Sequence, residues 1–128
     1  MQAATSALKK ILIVDDVEAV RRLVRLVSRH HYEVLEASDA EQALALLRSE
    51  RPALMILDIN LPGGMNGLEL LEQVRADPEL HATRVIVASG RGLPSDPYIA
   101  AALHIDAYFV KPFSPLALAD RVDALLGT

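Results

Sequence analysis

Residues 11–16 read Ile-Leu-Ile-Val-Asp-Asp, four consecutive aliphatic side chains stopped by two carboxylates. A half-exposed strand would alternate polar and apolar residues. An unbroken short run instead fits a strand covered on both faces, as in a parallel sheet. The pattern returns at Ala53–Leu57 before Asp58, at Val85–Ala88 before Ser89-Gly90, and at Ala107–Val110 before Lys111-Pro112. A further run, Val34–Ala37, is flanked by Glu33 and interrupted by Glu36, and suits an edge position.

Between these runs the apolar period changes from strand-like to helical. Val20, Leu23, Val24 and Val27 fall on one stripe; Ala40, Ala43, Leu44 and Leu47 repeat it, and Leu68, Leu71 and Val74 follow it loosely. Asp39 is placed to cap the second helix, while Asp96-Pro97 and Ser114-Pro115 each set a capping side chain before a proline. Gly127 closes a last helix whose stripe contains Leu118, Val122, Leu125 and Leu126. Five strands alternating with five helices predict right-handed crossovers and an α/β, doubly wound parallel sheet. With 128 residues and no internal repeat, one domain over residues 9–127 is expected, preceded by a loose tail at 1–8.

Composition narrows the function. Apolar residues make up 52% and aromatics 4%, so the core is aliphatic. The net charge of −4, with Lys9-Lys10 and Arg21-Arg22 as dispersed surface pairs, argues against direct nucleic-acid binding. There is no cysteine, which excludes disulfides, thiolate catalysis and Cys-based zinc sites. His30, His31, His81 and His104 lack metal-ligand spacing on one helix face. No apolar run reaches the roughly 18–20 residues of a membrane span, and the run at 11–14 stops at two aspartates, unlike a secretory segment. A cytoplasmic location is expected by default.

The chemistry sits where the strands end. In an open α/β sheet the carboxyl ends of the strands share a rim, and the ligand crevice lies where strand order reverses. If the first and third strands are neighbours there, Asp15, Asp16 and Asp58 converge. Such a group is strongly unfavourable alone, and a hard divalent cation held by oxygen ligands, Mg2+ above all, relieves it. Lys111 and Ser89 would face the same space with an ammonium and a hydroxyl. A carboxylate nucleophile, neutralising cations and a hydroxyl donor are what phosphoryl transfer to a carboxylate requires. Singly, each residue has a plainer reading. The Asp pair and Asp58 could be turn residues, Ser89 a helix cap, Tyr108 a static edge aromatic and Lys111 a surface lysine.

Taken in order, ILIVDD, LMILDINLPGGMNG, VIVASG and YFVKPF resemble the receiver domain of two-component response regulators, over roughly residues 9–127. That resemblance implies a flavodoxin-like sheet of strand order 2-1-3-4-5, and a phosphoacceptor rather than an enzyme with a separate substrate. Asp58 would take the phosphoryl group. Asp16 would ligate Mg2+ directly, with Asp15, Asp58 and the Asn60 main-chain carbonyl as its companions. Ser89 and Lys111 would bond the phosphoryl oxygens, Lys111-Pro112 would be cis, and Tyr108 would be the switch aromatic that turns inward. The implied partners are a sensor histidine kinase or histidine phosphotransfer protein. Output to an unidentified effector would pass through the fourth helix, fifth strand and fifth helix.

Two features depart from the family pattern. The loop between Pro62 and Gly67 reads GGMN, one residue longer than usual, and Pro62, Gly63, Gly64 and Gly67 read as turn and loop residues. The stretch RGLPSDP after Ser89 predicts a short, late fourth helix starting near Pro97, and His104 stands where glycine is usual. Arg91 and Asn60 flank the site. Two rival functions are weighed: an aspartyl-nucleophile phosphatase, disfavoured because Asn60 occupies the place of its second acid, and a constitutive binding module that is never phosphorylated. The chain could be a stand-alone receiver or one part of a larger regulator.

Overall fold

A computed structural model describes residues 8–90, 101 and 103–127. Five strands form one parallel sheet: β1 (Lys9–Val14), β2 (Tyr32–Ala37), β3 (Leu54–Leu57), β4 (Arg84–Ser89) and β5 (Ala107–Val110), in the order β2-β1-β3-β4-β5. Order reverses between β1 and β3, which puts the ends of these two strands side by side. The polar β2 takes an edge, as its glutamates require. Four helices are described: α1 (Glu18–Ser28), α2 (Ala40–Glu50), α3 (Gly67–Ala76) and α4 (Pro115–Leu126). The helix expected near Pro97, the Asp96 cap and Arg91 lie outside the described residues. No described helix is long and apolar enough to cross a membrane.

The two-residue period of the strands sorts the core into two layers. Leu12, Val14, Met55, Leu57, Val85 and Val87 meet Ala43 and Leu47 of α2 and Leu70, Leu71 and Val74 of α3. Ile11, Ile13, Leu54, Ile56 and Ile86 point the other way, toward Val24 of α1 and Leu118, Val122 and Leu126 of α4. Each central strand is therefore buried on both faces, which is why its residues read as continuous apolar runs.

Helix ends follow local chemistry. The Asp39 side chain accepts from the Gln42 N–H, the Ser114 hydroxyl accepts from the Ala117 N–H with Pro115 at the first helical position, and Gly127 ends α4 at φ 75°. The stripe expected on α1 is narrower than its spacing implies. Val24 is buried there, but Leu23 is 45% exposed. Only one edge of this helix meets the sheet.

Gly67 corrects the turn reading, for it is the first residue of α3. A Cβ there would lie 2.6 Å from the Ile59 Cα and 2.7 Å from the Asp58 carbonyl oxygen, both backbone atoms with no freedom to retreat. Asn66 caps the helix just before it, accepting from the Glu69 N–H while the Glu69 side chain accepts from the Asn66 N–H. This reciprocal cap and the missing side chain together seat α3 directly against the strand that carries Asp58.

Candidate functional site

Strand register brings the candidate residues to one level. Val14 aligns with both Ala37 and Leu57, Leu57 with Val87, and Ser89 with Val110. Asp15, Asp58 and Lys111 each come one residue later, and Ser89 ends its strand. Backbone bonds continue past the strand ends: Asp15 N–H donates to the Ala37 carbonyl at 3.1 Å, Asp58 N–H to Val14 at 3.0 Å, and Lys111 N–H to Ser89 at 2.9 Å.

Asp15, Asp16 and Asp58 each present a carboxylate oxygen within 4.8 Å of the others. Asp15 and Asp58 are buried, at 1% and 6% exposure, while Asp16 is exposed. The Lys111 Nζ donates to Asp15 Oδ2 at 2.5 Å and to Asp58 Oδ2 at 3.0 Å, joining the first strand to the third. Burial works to lower the Lys111 pKa, but the hydrogen bonds to Asp15 and Asp58 and their negative charges outweigh it. The ammonium is consequently held above the ordinary lysine value. The peptide bond from Lys111 to Pro112 is cis.

The other oxygens of the two buried carboxylates are fixed by their own backbone. Val17 N–H donates to Asp15 Oδ1 at 2.9 Å, and Asn60 N–H donates to Asp58 Oδ1 at 2.9 Å. Each is the two-residue turn that an aspartate at a strand end forms readily. The turn reading and the site reading thus describe the same atoms. Asn60 also reaches across the rim, its amide donating to the Ser89 hydroxyl at 3.0 Å. Ser89 is 1% exposed and belongs to β4 itself.

Tyr108 lies on β5, its ring packed against the layer formed with α2 and α3. Its hydroxyl oxygen is buried and, among the described residues, has no hydrogen-bond partner. Desolvation raises its pKa. Sequence reasoning missed Arg21, whose Nη1 donates to the Asp15 carbonyl at 2.7 Å. Its target is a backbone oxygen, so only its position one helical turn beyond the acidic pair could have hinted at it.

The donor set suits Mg2+: three carboxylates and neighbouring main-chain carbonyls are hard oxygen ligands, and no softer ligand belongs to the cluster. A parallel sheet with its acidic cluster at the reversal point, spanned by one lysine, defines a doubly wound α/β fold with its site at the strand ends. The chain belongs to the response regulator family of two-component signalling: the family model for the response regulator receiver domain matches residues 11–123.

Individual relatives agree. A chemotaxis protein CheY homolog of Campylobacter jejuni is 35% identical over 122 residues, covering 93% of each chain. The alkaline phosphatase synthesis transcriptional regulatory protein PhoP of Bacillus subtilis is 36% identical over 119 residues, which are 92% of this chain but 48% of PhoP. Among solved structures, a CheY-like receiver domain protein from Methanospirillum hungatei superposes with a TM-score of 0.84 at 31% identity, covering 94% of this chain and 95% of that one.

Proposed function

We propose that this chain is a phosphorylation-driven switch in which Asp58 accepts a phosphoryl group from a phosphohistidine donor. The donor would be a sensor histidine kinase or a histidine phosphotransfer protein. An Asp58 carboxylate oxygen attacks phosphorus, the P–N bond breaks, and its electron pair returns to the donor imidazole. Asp16, Asp15, Asp58 and the Asn60 main-chain carbonyl would hold Mg2+, which supplies charge neutralisation for the phosphoryl oxygens when bound. The observation that carries the reading is the Lys111 ammonium between Asp15 and Asp58: a fixed cation lies at the carboxylate where negative charge would arrive.

The chain's own groups also supply the response. Phosphorylation adds about −1.5 to −2 charges at Asp58. Lys111 can exchange Asp58 for the phosphoryl oxygens, and the Ser89 hydroxyl, which accepts from the Asn60 amide, can turn its O–H to donate to them. Ser89 aligns with Val110, two residues beyond Tyr108 on β5, so a displaced Ser89 would be felt along the strand pair that carries Tyr108. The Tyr108 hydroxyl has no hydrogen-bond partner among the described residues, which leaves it able to take a new one and suits a switch role. An effector would read the resulting change at the face around β5 and α4. Domain limits of 9–127 and a cytoplasmic setting accompany the proposal.

Incubation with acetyl phosphate and Mg2+ should add about 80 Da to the intact mass, the weight of one phosphoryl group. The adduct should be absent in Asp58→Asn. No adduct on the unaltered chain would overturn the proposal.

A further inference from the structure

Every polar atom of Asp15 is engaged, and the partner of its carbonyl comes from outside the pocket. We propose that Arg21 is a positioning residue for the cation site: by fixing the Asp15 carbonyl, it aims Asp16 at the pocket. This rests on the reading of the acidic cluster as a cation site.

Asp15 gives its N–H to Ala37, its Oδ1 accepts from Val17 and its Oδ2 from Lys111, while its carbonyl accepts from Arg21 Nη1 at 2.7 Å. The peptide unit is planar, so the Asp15 carbonyl and the N and Cα of Asp16 move as one body. Asp16 is exposed, unlike its buried neighbour. Its direction therefore depends on the plane that Arg21 holds.

Arg21 is itself anchored. Its Nε donates to Glu36 Oε1 at 3.3 Å, and Arg25 Nη1 grips the other Glu36 oxygen at 2.5 Å. Glu36 belongs to β2 and aligns with Ile13 of β1, so the guanidinium is braced against the sheet. With its side chain only 16% exposed, Arg21 bridges helix, edge strand and acidic turn. Two effects of this residue oppose each other. As a positive charge it would compete with a bound cation, so its removal would tighten binding. As a brace it preorganises a ligand, so its removal would weaken binding. Glu36 is shared with Arg25, so these three side chains keep one net positive charge; Arg21 nevertheless acts on the ligand through a short hydrogen bond to the Asp15 carbonyl, on the peptide plane that carries Asp16, and the brace prevails.

Loss of groups that orient metal ligands typically costs about 10–100-fold in affinity. Arg21 acts through main chain, which places the expected loss for Arg21→Ala at the lower end, about tenfold. The experiment pairs calorimetric Mg2+ titration of the full chain with metal-free NMR of the Asp16 and Val17 amides, on wild type, Arg21→Ala and Arg21→Lys. Arg21→Ala should weaken Mg2+ binding and speed amide exchange at the turn. Arg21→Lys, which can reach one of the two acceptors but not both, should fall between and stands in if the alanine variant does not fold.

Unchanged or tighter Mg2+ binding together with unchanged turn amides would overturn the proposal, even with lowered thermal stability. Tighter binding alone would also overturn it, since it would mark Arg21 as a charge rather than a brace. Should wild type itself fail to bind Mg2+, the cation-site reading falls. The amide exchange would still judge Arg21: a loosened turn supports its hold on Asp16, and an unaltered one removes it.

Discussion

The two rims of the sheet treat half-buried cations in opposite ways. At the carboxyl end, the Lys111 ammonium meets two carboxylates that belong to different strands. At the amino end, the Arg75 guanidinium donates to four backbone carbonyls, those of Leu103, His104, His81 and Thr83, at 2.6–2.9 Å. Burial lowers the Arg75 pKa, with Asp106 working against it, yet an arginine so far from neutrality stays charged. Arg75 has spent nearly all its donors on groups that cannot leave. Lys111 is bound to side chains that a phosphoryl group or metal could claim. The difference teaches that one rim is stapled and the other is kept exchangeable.

Arg75→Ala should have the largest effect on stability. It leaves four carbonyls without their charged donor, and a loss of about 3 kcal/mol is expected, since hydrogen bonds to charged groups contribute about 1.5–3 kcal/mol each and water can replace the exposed ones. Chemical denaturation measures it, and Mg2+ affinity should stay at the wild-type value. A large change in that affinity would break the contrast between the rims. Lys111→Met should cost less, about 2 kcal/mol in metal-free protein, and added Mg2+ should recover much of the loss by replacing the missing cation.

The pH dependence of that difference has a fixed sign. Folding raises the Lys111 pKa above the ordinary value of 10.5. Its contribution is therefore fully present below that value and fades as pH climbs through the higher folded one. The stability gap between wild type and Lys111→Met should be level from neutrality to about pH 10 and shrink above it. A gap that instead closed on mild acidification would show that another group controls the rim. The smallest effect belongs to Lys10→Gln: the Lys10–Glu50 pair at 2.8 Å is solvent-exposed, and no measurable change in thermal midpoint is expected.

What could be read beforehand follows the same division. The parallel sheet, the edge position of β2 and the placing of Asp15, Asp16, Asp58 and Lys111 at strand ends depend on apolar runs ending in charged residues, a pattern written along the chain; the strand order that makes them neighbours is implied by the family resemblance. The Arg75 staple left no such trace, because its acceptors are main-chain carbonyls that any residue supplies. It does account for His104. This residue adopts φ 52°, the left-handed region that glycine enters freely, and Arg75 holds the carbonyls of both Leu103 and His104. Gly67 was legible as a glycine but not as a contact, since its crowding by Ile59 appears only once α3 is docked. The Asn66–Glu69 cap has the spacing of a reciprocal cap, but the loop residues around it carry the same polar signal and mask it. The exposure of Leu23 shows the limit of periodicity, which gives the direction of a helix's apolar stripe better than its width.

The two-layer sorting of β1 has a consequence for how such a chain can change over evolutionary time. Neighbouring letters in Ile11–Val14 serve opposite halves of the interior, so aliphatic exchanges at any one of them disturb a single half. Adding or deleting one letter there would send every following side chain to the wrong half and swing the acidic pair off its ledge. Spelling in this segment is negotiable, but its letter count is not.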